Sequence, residues 1–151
     1  MRLDGKLTFW VQIKYAVEKA AKATAALSKL MANTGGPVAK KRKLLMTTVN
    51  AILPYSSEVW ADALDIETRR KEIIAVHRRA ALRITSAYRT VLAEAVFVIA
   101  GVTPIDLQAK ERQRVYNRKT NGDYTQQMAR QDQDQTIEMW QQRWNNSTQG
   151  R

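Results

Sequence analysis

The chain has 151 residues, 44% of them hydrophobic, with 25 Lys and Arg against 14 Asp and Glu, a formal charge of +11 and no cysteine. That length and apolar content suffice for one domain with a real core plus a tail, and the missing cysteines exclude a disulfide framework and a thiolate metal site. The longest apolar run, Ala95 to Ala100, is far below the ~20 residues of a membrane span; with no apolar signal core at the N-terminus, the chain reads as intracellular and without a membrane partner.

Taken in order, the segment Trp10 to Met31 places Ile13, Val17, Ala20, Thr24, Leu27 and Met31 at three- and four-residue steps, which predicts a helix with one apolar stripe. Its opposite face carries Lys14, Lys22 and Lys29, interrupted by Glu18. Asn33 to Pro37, NTGGP, predicts a stop and a turn, and a second helix is expected from near Val38. This helix opens with Lys40, Lys41, Arg42 and Lys43, four positive charges where the macrodipole favours acids. Four consecutive side chains spread around a helix, so some must face solvent or a partner whichever side is buried. The run suits a phosphate-contacting cluster, a solvated helix start, or a nuclear localisation signal.

Leu44, Leu45, Val49, Ile52 and Leu53 form the expected buried face of the second helix, and Pro54 interrupts it before Tyr55. A short helix over Tyr55 to Leu64 should carry Val59, Trp60 and Leu64 into the core. A longer one over Asp65 to Ser86 places Ile66, Ile73, Ala80 and Ile84 on one face, together with His77. No nucleophile motif or acidic cluster accompanies His77, so it reads as a core or boundary residue, and no catalytic residue is assigned. Trp10, Trp60, Trp140 and Trp144 have the chemistry of base-stacking platforms, but their setting among aliphatic residues favours packing.

Tyr88-Arg89-Thr90 falls at a junction, with Thr90 as the expected N-cap of an apolar helix from Val91 to Ala100 that Gly101 ends. Thr103-Pro104-Ile105-Asp106 then predicts a helix start with Thr as cap, Pro in the first position and an acid in the first turn. After Lys119, TNGDY breaks the helix. Thr125 to Gln142 is polar, glutamine-rich and weakly patterned, which predicts a loosely attached helical tail.

The positive charge is unevenly placed. Met1 to Leu53 holds ten basic and two acidic residues, Pro54 to Thr90 seven and five, and Val91 to Arg151 eight and seven. The first third thus carries most of the excess, which creates a local potential suited to phosphates.

Four segments carry a family resemblance: RLDGKLTFW at Arg2 to Trp10, EVWADAL at Glu58 to Leu64, AYRTVLAEAVFVIAGVTPIDL at Ala87 to Leu107, and WQQRW at Trp140 to Trp144 followed by NNSTQGR. In that order they resemble the region after the polymerase core in reverse transcriptases of insect-type non-LTR (LINE-like) retrotransposons. The resemblance implies that residues 1–9 are a residual edge of the palm, 10–100 a thumb-like helical domain, and 101–151 a connector helix and polar tail, with an extended stub near Leu3 to Leu7. It also implies that the palm with its paired metal-binding aspartates lies outside this chain, which contains no Asp-Asp pair. Met1 then looks like an accidental start in a truncated copy, and the family's Cys/His zinc region is missing beyond Arg151.

The fold expected is all-α, an irregular bundle of five or more helices. The function implied is to hold an RNA or DNA template-primer duplex by its backbone, beside a palm partner, with no cofactor and no polymerisation by this chain alone. Lys14, Lys22, Lys29, Lys40, Lys41, Arg42, Lys43 and Arg89 are the expected backbone contacts. A stand-alone helical nucleic-acid-binding module and a non-functional relic of a transposable element are the alternatives.

Overall fold

Alanine-rich and free of glycine and proline, the segment Trp10–Lys29 forms α1. Its apolar stripe lands where the spacing puts it: Ile13 and Ala20 are fully buried, Met31 just beyond the helix is nearly so, and Val17 and Leu27 pack at the edge of the core. Lys14, Glu18, Lys22 and Lys29 are exposed. The computed structural model describes residues 5, 8–31 and 39–147. Within them α2 spans Ala39–Ile52, α3 Ser57–Trp60 running into a 3-10 turn at Ala61–Asp65, α4 Glu67–Thr85, α5 Ala93–Ala100, α6 Ile105–Thr120 and α7 Gln126–Asn146. No strand occurs among the described residues, and the fold is an all-α helical bundle. The expected stub at Leu3 to Leu7, Gly5 apart, and the NTGGP turn lie outside the described residues.

The direction of the helices follows from a few long-range hydrogen bonds. Arg69 Nη1, near the start of α4, donates to the Thr8 carbonyl at 2.9 Å, and Arg83 Nη2, near its end, donates to the carbonyls of Ser28 at 3.1 Å and Met31 at 3.3 Å. The two helices therefore run side by side in the same direction. α2 begins where α1 ends, with Lys41 Nζ donating to the Leu30 carbonyl at 2.8 Å, and packs against both. Ile13, Leu45, Val49, Leu53, Trp60, Ile73 and Ile105 fill the space between, all without solvent exposure. α3 and its 3-10 turn close this core against α6. A smaller cluster of Ala81, Leu82, Val96 and Phe97 lies between α4 and α5, with Trp140 of α7 against it.

Several local expectations are corrected. Leu44 is 54% exposed and Met46 takes its place in the core. At 100° per residue, Leu44 sits about 155° around the helix from the centre of the stripe set by Leu45, Met46, Val49 and Leu53. Val59 and Ile66 are also exposed: Val59 faces away from the side of the α3 turn that buries Ser57, Trp60 and Ala61, and Ile66 is the extended residue preceding α4. Thr90 does not cap α5. The chain there is held in a turn, Val91 N donating to the Tyr88 carbonyl at 3.0 Å, and the helix starts only after the extended Leu92. Thr103 is not a side-chain cap either; Pro104 occupies the cap position of α6, and the Thr103 carbonyl accepts from Gln108 Nε2 at 2.6 Å. Gly101, left-handed at φ 64°, ends α5 as its position predicts.

α7 returns antiparallel to α6 after the Asn121–Gly122 turn. Thr125 caps it, accepting from Met128 N at 3.2 Å. Its apolar attachment is thin, in keeping with its sequence, since its buried residues are Asp132 and Thr136. Arginines of α6 and α7 meet carboxylates across the seam and fix where the helix docks.

Candidate nucleic-acid interface

The last carbonyls of a helix lack intrahelical donors and carry the negative end of its dipole, so cationic donors are favoured there. At the end of α1 two different helices supply them, Lys41 from α2 and Arg83 from α4. These bonds gather the start of α2 and the last turn of α4 around the end of α1. Lys29, Lys40, Lys41 and Lys43 are exposed there and Arg42 is half-buried. The sequence contains no Asp or Glu between Glu18 and Glu58, nor between Glu72 and Glu94. Lys29, Lys40, Lys41, Arg42, Lys43 and Arg83 thus form a basic end to which the contributing turns bring no carboxylate.

Three acids of the middle third, Asp62, Asp65 and Glu67, lie elsewhere and are already paired. Lys110 Nζ lies 2.8 Å from Asp62 and 3.1 Å from Asp65, and Gln113 Nε2 donates to Asp62 at 2.8 Å. The hydrogen bonds from Lys110 and Gln113 hold the Asp62 carboxyl below its usual range. Burial opposes charge on Lys110, but the bonds to Asp62 and Asp65 outweigh it and raise its pKa. Glu67 pairs with Lys71 at 2.8 Å on the exposed face of α4. Such pairs contribute little stability, but they separate the molecule into a basic end and a charge-balanced one.

The lysines singled out by sequence are only partly brought together. Lys14 stands near the start of α1, its Nζ 5.0 Å from the Trp10 ring centroid, with Arg69 5.6 Å from the same ring. Helical rise places it roughly 22 Å from Lys29, outside the basic end, and Lys22 lies between. Arg89 is exposed in the loop between α4 and α5. Arg78 fixes that loop: its Nε donates to the Val91 carbonyl at 3.2 Å and its Nη2 to the carbonyls of Arg89 and Val91. Arg83, in the basic end, and Arg78, which holds the Arg89 loop, are the arginines that periodicity does not reveal. The signal for them is the acid-free stretch that also holds Arg79 and Arg89.

His77 and Trp60 are core residues. His77 Nε2 lies 3.1 Å from Asn50 Oδ1 and its ring packs on Phe97 with centroids 4.8 Å apart, while Trp60 Nε1 donates to the Tyr55 carbonyl at 2.9 Å. Among the described residues no three His, Asp or Glu side chains come together as a metal-holding group, and no helix is long and apolar enough to cross a membrane.

Two ion-pair seats hold α7. Arg118 Nε donates to Asp132 at 2.9 Å, while Arg114 Nη2 donates to the Asp132 carbonyl at 3.1 Å and to Thr136 Oγ1 at 2.7 Å. Farther along, Arg143 grips Asp106 through both terminal nitrogens, at 3.2 and 2.7 Å, and lies 3.7 Å from Glu94. Burial raises the Glu94 pKa, Arg143 opposing that shift and Asp106 adding to it. No family model, curated protein or solved structure matches the chain.

Proposed function

We propose that this chain is the thumb and connector portion of a non-LTR retrotransposon reverse transcriptase, which holds a template-primer duplex by its phosphates and does not polymerise alone. The observation that supports this reading best is the basic end, where side chains from α1, α2 and α4 meet without an acid in the contributing turns. Phosphate contacts position a duplex without reading its sequence, which is the task of an element that must follow any template. The reading also calls for a palm to pack against. Tyr88, Leu92, Val98 and Ile99, left exposed around α5, are the apolar surface available to it. It places the protein inside the cell, where the parent polymerase works. A stand-alone nucleic-acid-binding module is the second reading, favoured by a core assembled within the chain itself.

If about three of Lys29, Lys40, Lys41, Arg42 and Lys43 neutralise phosphates at once, log affinity for a primer-template should fall with log salt at a slope of roughly −2 to −3. Replacing Lys40, Lys41, Arg42 and Lys43 with glutamine should flatten that slope by about one unit for each phosphate no longer neutralised. Helix content should be retained, because glutamine is a comparable helix former. Lys14→Gln should leave the slope nearly unchanged. Unaltered binding by the four-residue variant at low salt would remove the basic end from the interface, and absence of salt-dependent binding by the parent would leave the relic reading.

Nucleotide incorporation is expected to stay at background when the purified chain is given magnesium, primer-template and nucleotides. Activity that co-purifies through several columns would mean that the chain carries an unrecognised catalytic site.

A further inference from the structure

We propose that Arg114 and Arg118 form a phosphate-binding site that α7 covers, with Asp132 seated in it as an internal stand-in for the anion. The two arginines stand one helical turn apart on α6 and so share a face. Both converge on Asp132, which is 1% exposed, while their own side chains retain 25% and 37% exposure. Two guanidinium groups facing one carboxylate leave a positive charge unbalanced. A phosphate, with more acceptor oxygens and up to twice the charge, would use donors that Asp132 leaves idle: Arg114 Nε is buried without a hydrogen-bond partner, 3.6 Å from the carboxylate. Arginine pairs favour phosphate for the same geometric reason that they favour carboxylate.

The cover is built to be released. A buried ion pair roughly breaks even against the hydration of its separated groups, so the Arg114, Arg118 and Asp132 cluster fixes where α7 docks more than how tightly. Apolar burial by α7 is limited to partly buried contacts such as Trp140 against the small cluster. An element with so little apolar burial opens locally at a lower free energy than the core helices. When α7 lifts, Asp132 leaves with it and the arginine pair is free for an external anion. The anion is a phosphate group, supplied either by a nucleic-acid backbone or by a free oligophosphate, and the site is separate from the basic end.

The test uses the full chain, its Asp132→Asn variant, and the same variant with Arg114→Gln and Arg118→Gln added. Tripolyphosphate and a labelled duplex are the two probes. Asp132→Asn should bind at least one of them more tightly than the parent; for a duplex the salt slope should steepen by about one to two units, and the added arginine changes should restore parental behaviour. A gain for tripolyphosphate alone identifies a free oligophosphate as the ligand, and a gain for duplex alone identifies the backbone. In the parent, the bound probe should speed hydrogen exchange over Gln126–Asn146 while leaving α4 unchanged, a readout that does not depend on how the variants fold. No gain with either probe, or a gain that survives loss of both arginines, would overturn the proposal. Keeping Lys40, Lys41, Arg42 and Lys43 intact throughout separates this outcome from failure at the basic end.

Discussion

Trp60→Ala is expected to cost about 3–5 kcal/mol, the range for deleting a fully buried large aromatic. Trp60 has no solvent exposure and sits where α3, its 3-10 turn and α6 meet, with its Nε1 donating to the Tyr55 carbonyl. Neighbouring Leu53, Leu64 and Ile105 are themselves buried in the same cluster, so the site has little freedom to collapse around the cavity. For a domain of this size the loss is a large share of a total stability of about 5–15 kcal/mol. Trp60→Phe should cost less, roughly 1–3 kcal/mol, since it keeps much of the packing and gives up the hydrogen bond. Urea unfolding followed by helix signal measures both, and a Trp60→Ala loss below about 1 kcal/mol would mean that α3 and α6 do not share this core.

Acid should destabilise the fold through His77. Burial pushes its pKa down from 6.5 to about 4, against the opposing charge of Asp106. The unfolded chain therefore binds a proton near pH 6.5 that the folded chain refuses until about pH 4. His77 contributes stability that is present above pH 6.5, declines by up to about 1.4 kcal/mol per pH unit below it, and is gone once the folded state titrates. The whole effect is roughly 3 kcal/mol. Glu94 acts in the opposite sense, because its raised pKa favours the folded state at low pH. The His77 share is isolated by comparing the pH slope of the parent with that of His77→Gln, which should be shallower between pH 6.5 and 4. As the chain has one histidine, its imidazole resonance is unambiguous, and a folded-state midpoint near 6.5 would contradict the neutral, Asn50-bonded ring.

The release of α7 bears on both measurements. Trp140 rests on the small cluster that contains Phe97, and Phe97 packs on His77. Lifting α7 would therefore loosen the second cluster before the main core around Trp60, and hydrogen exchange should record that order.

By itself the sequence determined the helical character of the chain, the stripe of α1, the break at Pro54, the stop at Gly101 and the turn at Asn121–Gly122, because each rests on local geometry or on the period of a single helix. It also marked Lys40 to Lys43 and the core setting of His77. Only the tertiary structure decided which ambiguous apolar residues face inward: Leu44 yields to Met46, and Val59 stays exposed while Trp60 and Leu64, expected beside it, are buried. Tertiary packing likewise moved the start of α5, since Arg78 and the turn at Tyr88 to Val91 hold the loop that Thr90 would otherwise end. The basic end was half legible. Lys29 and the Lys40 to Lys43 run are visible in sequence, but Arg83 joins them across more than fifty residues, and Lys14 proves remote. The seats of Asp132 and Asp106 were not legible, because the Arg114 and Arg118 pair and the lone Arg143 each look like a solvated face until another helix brings a carboxylate to them.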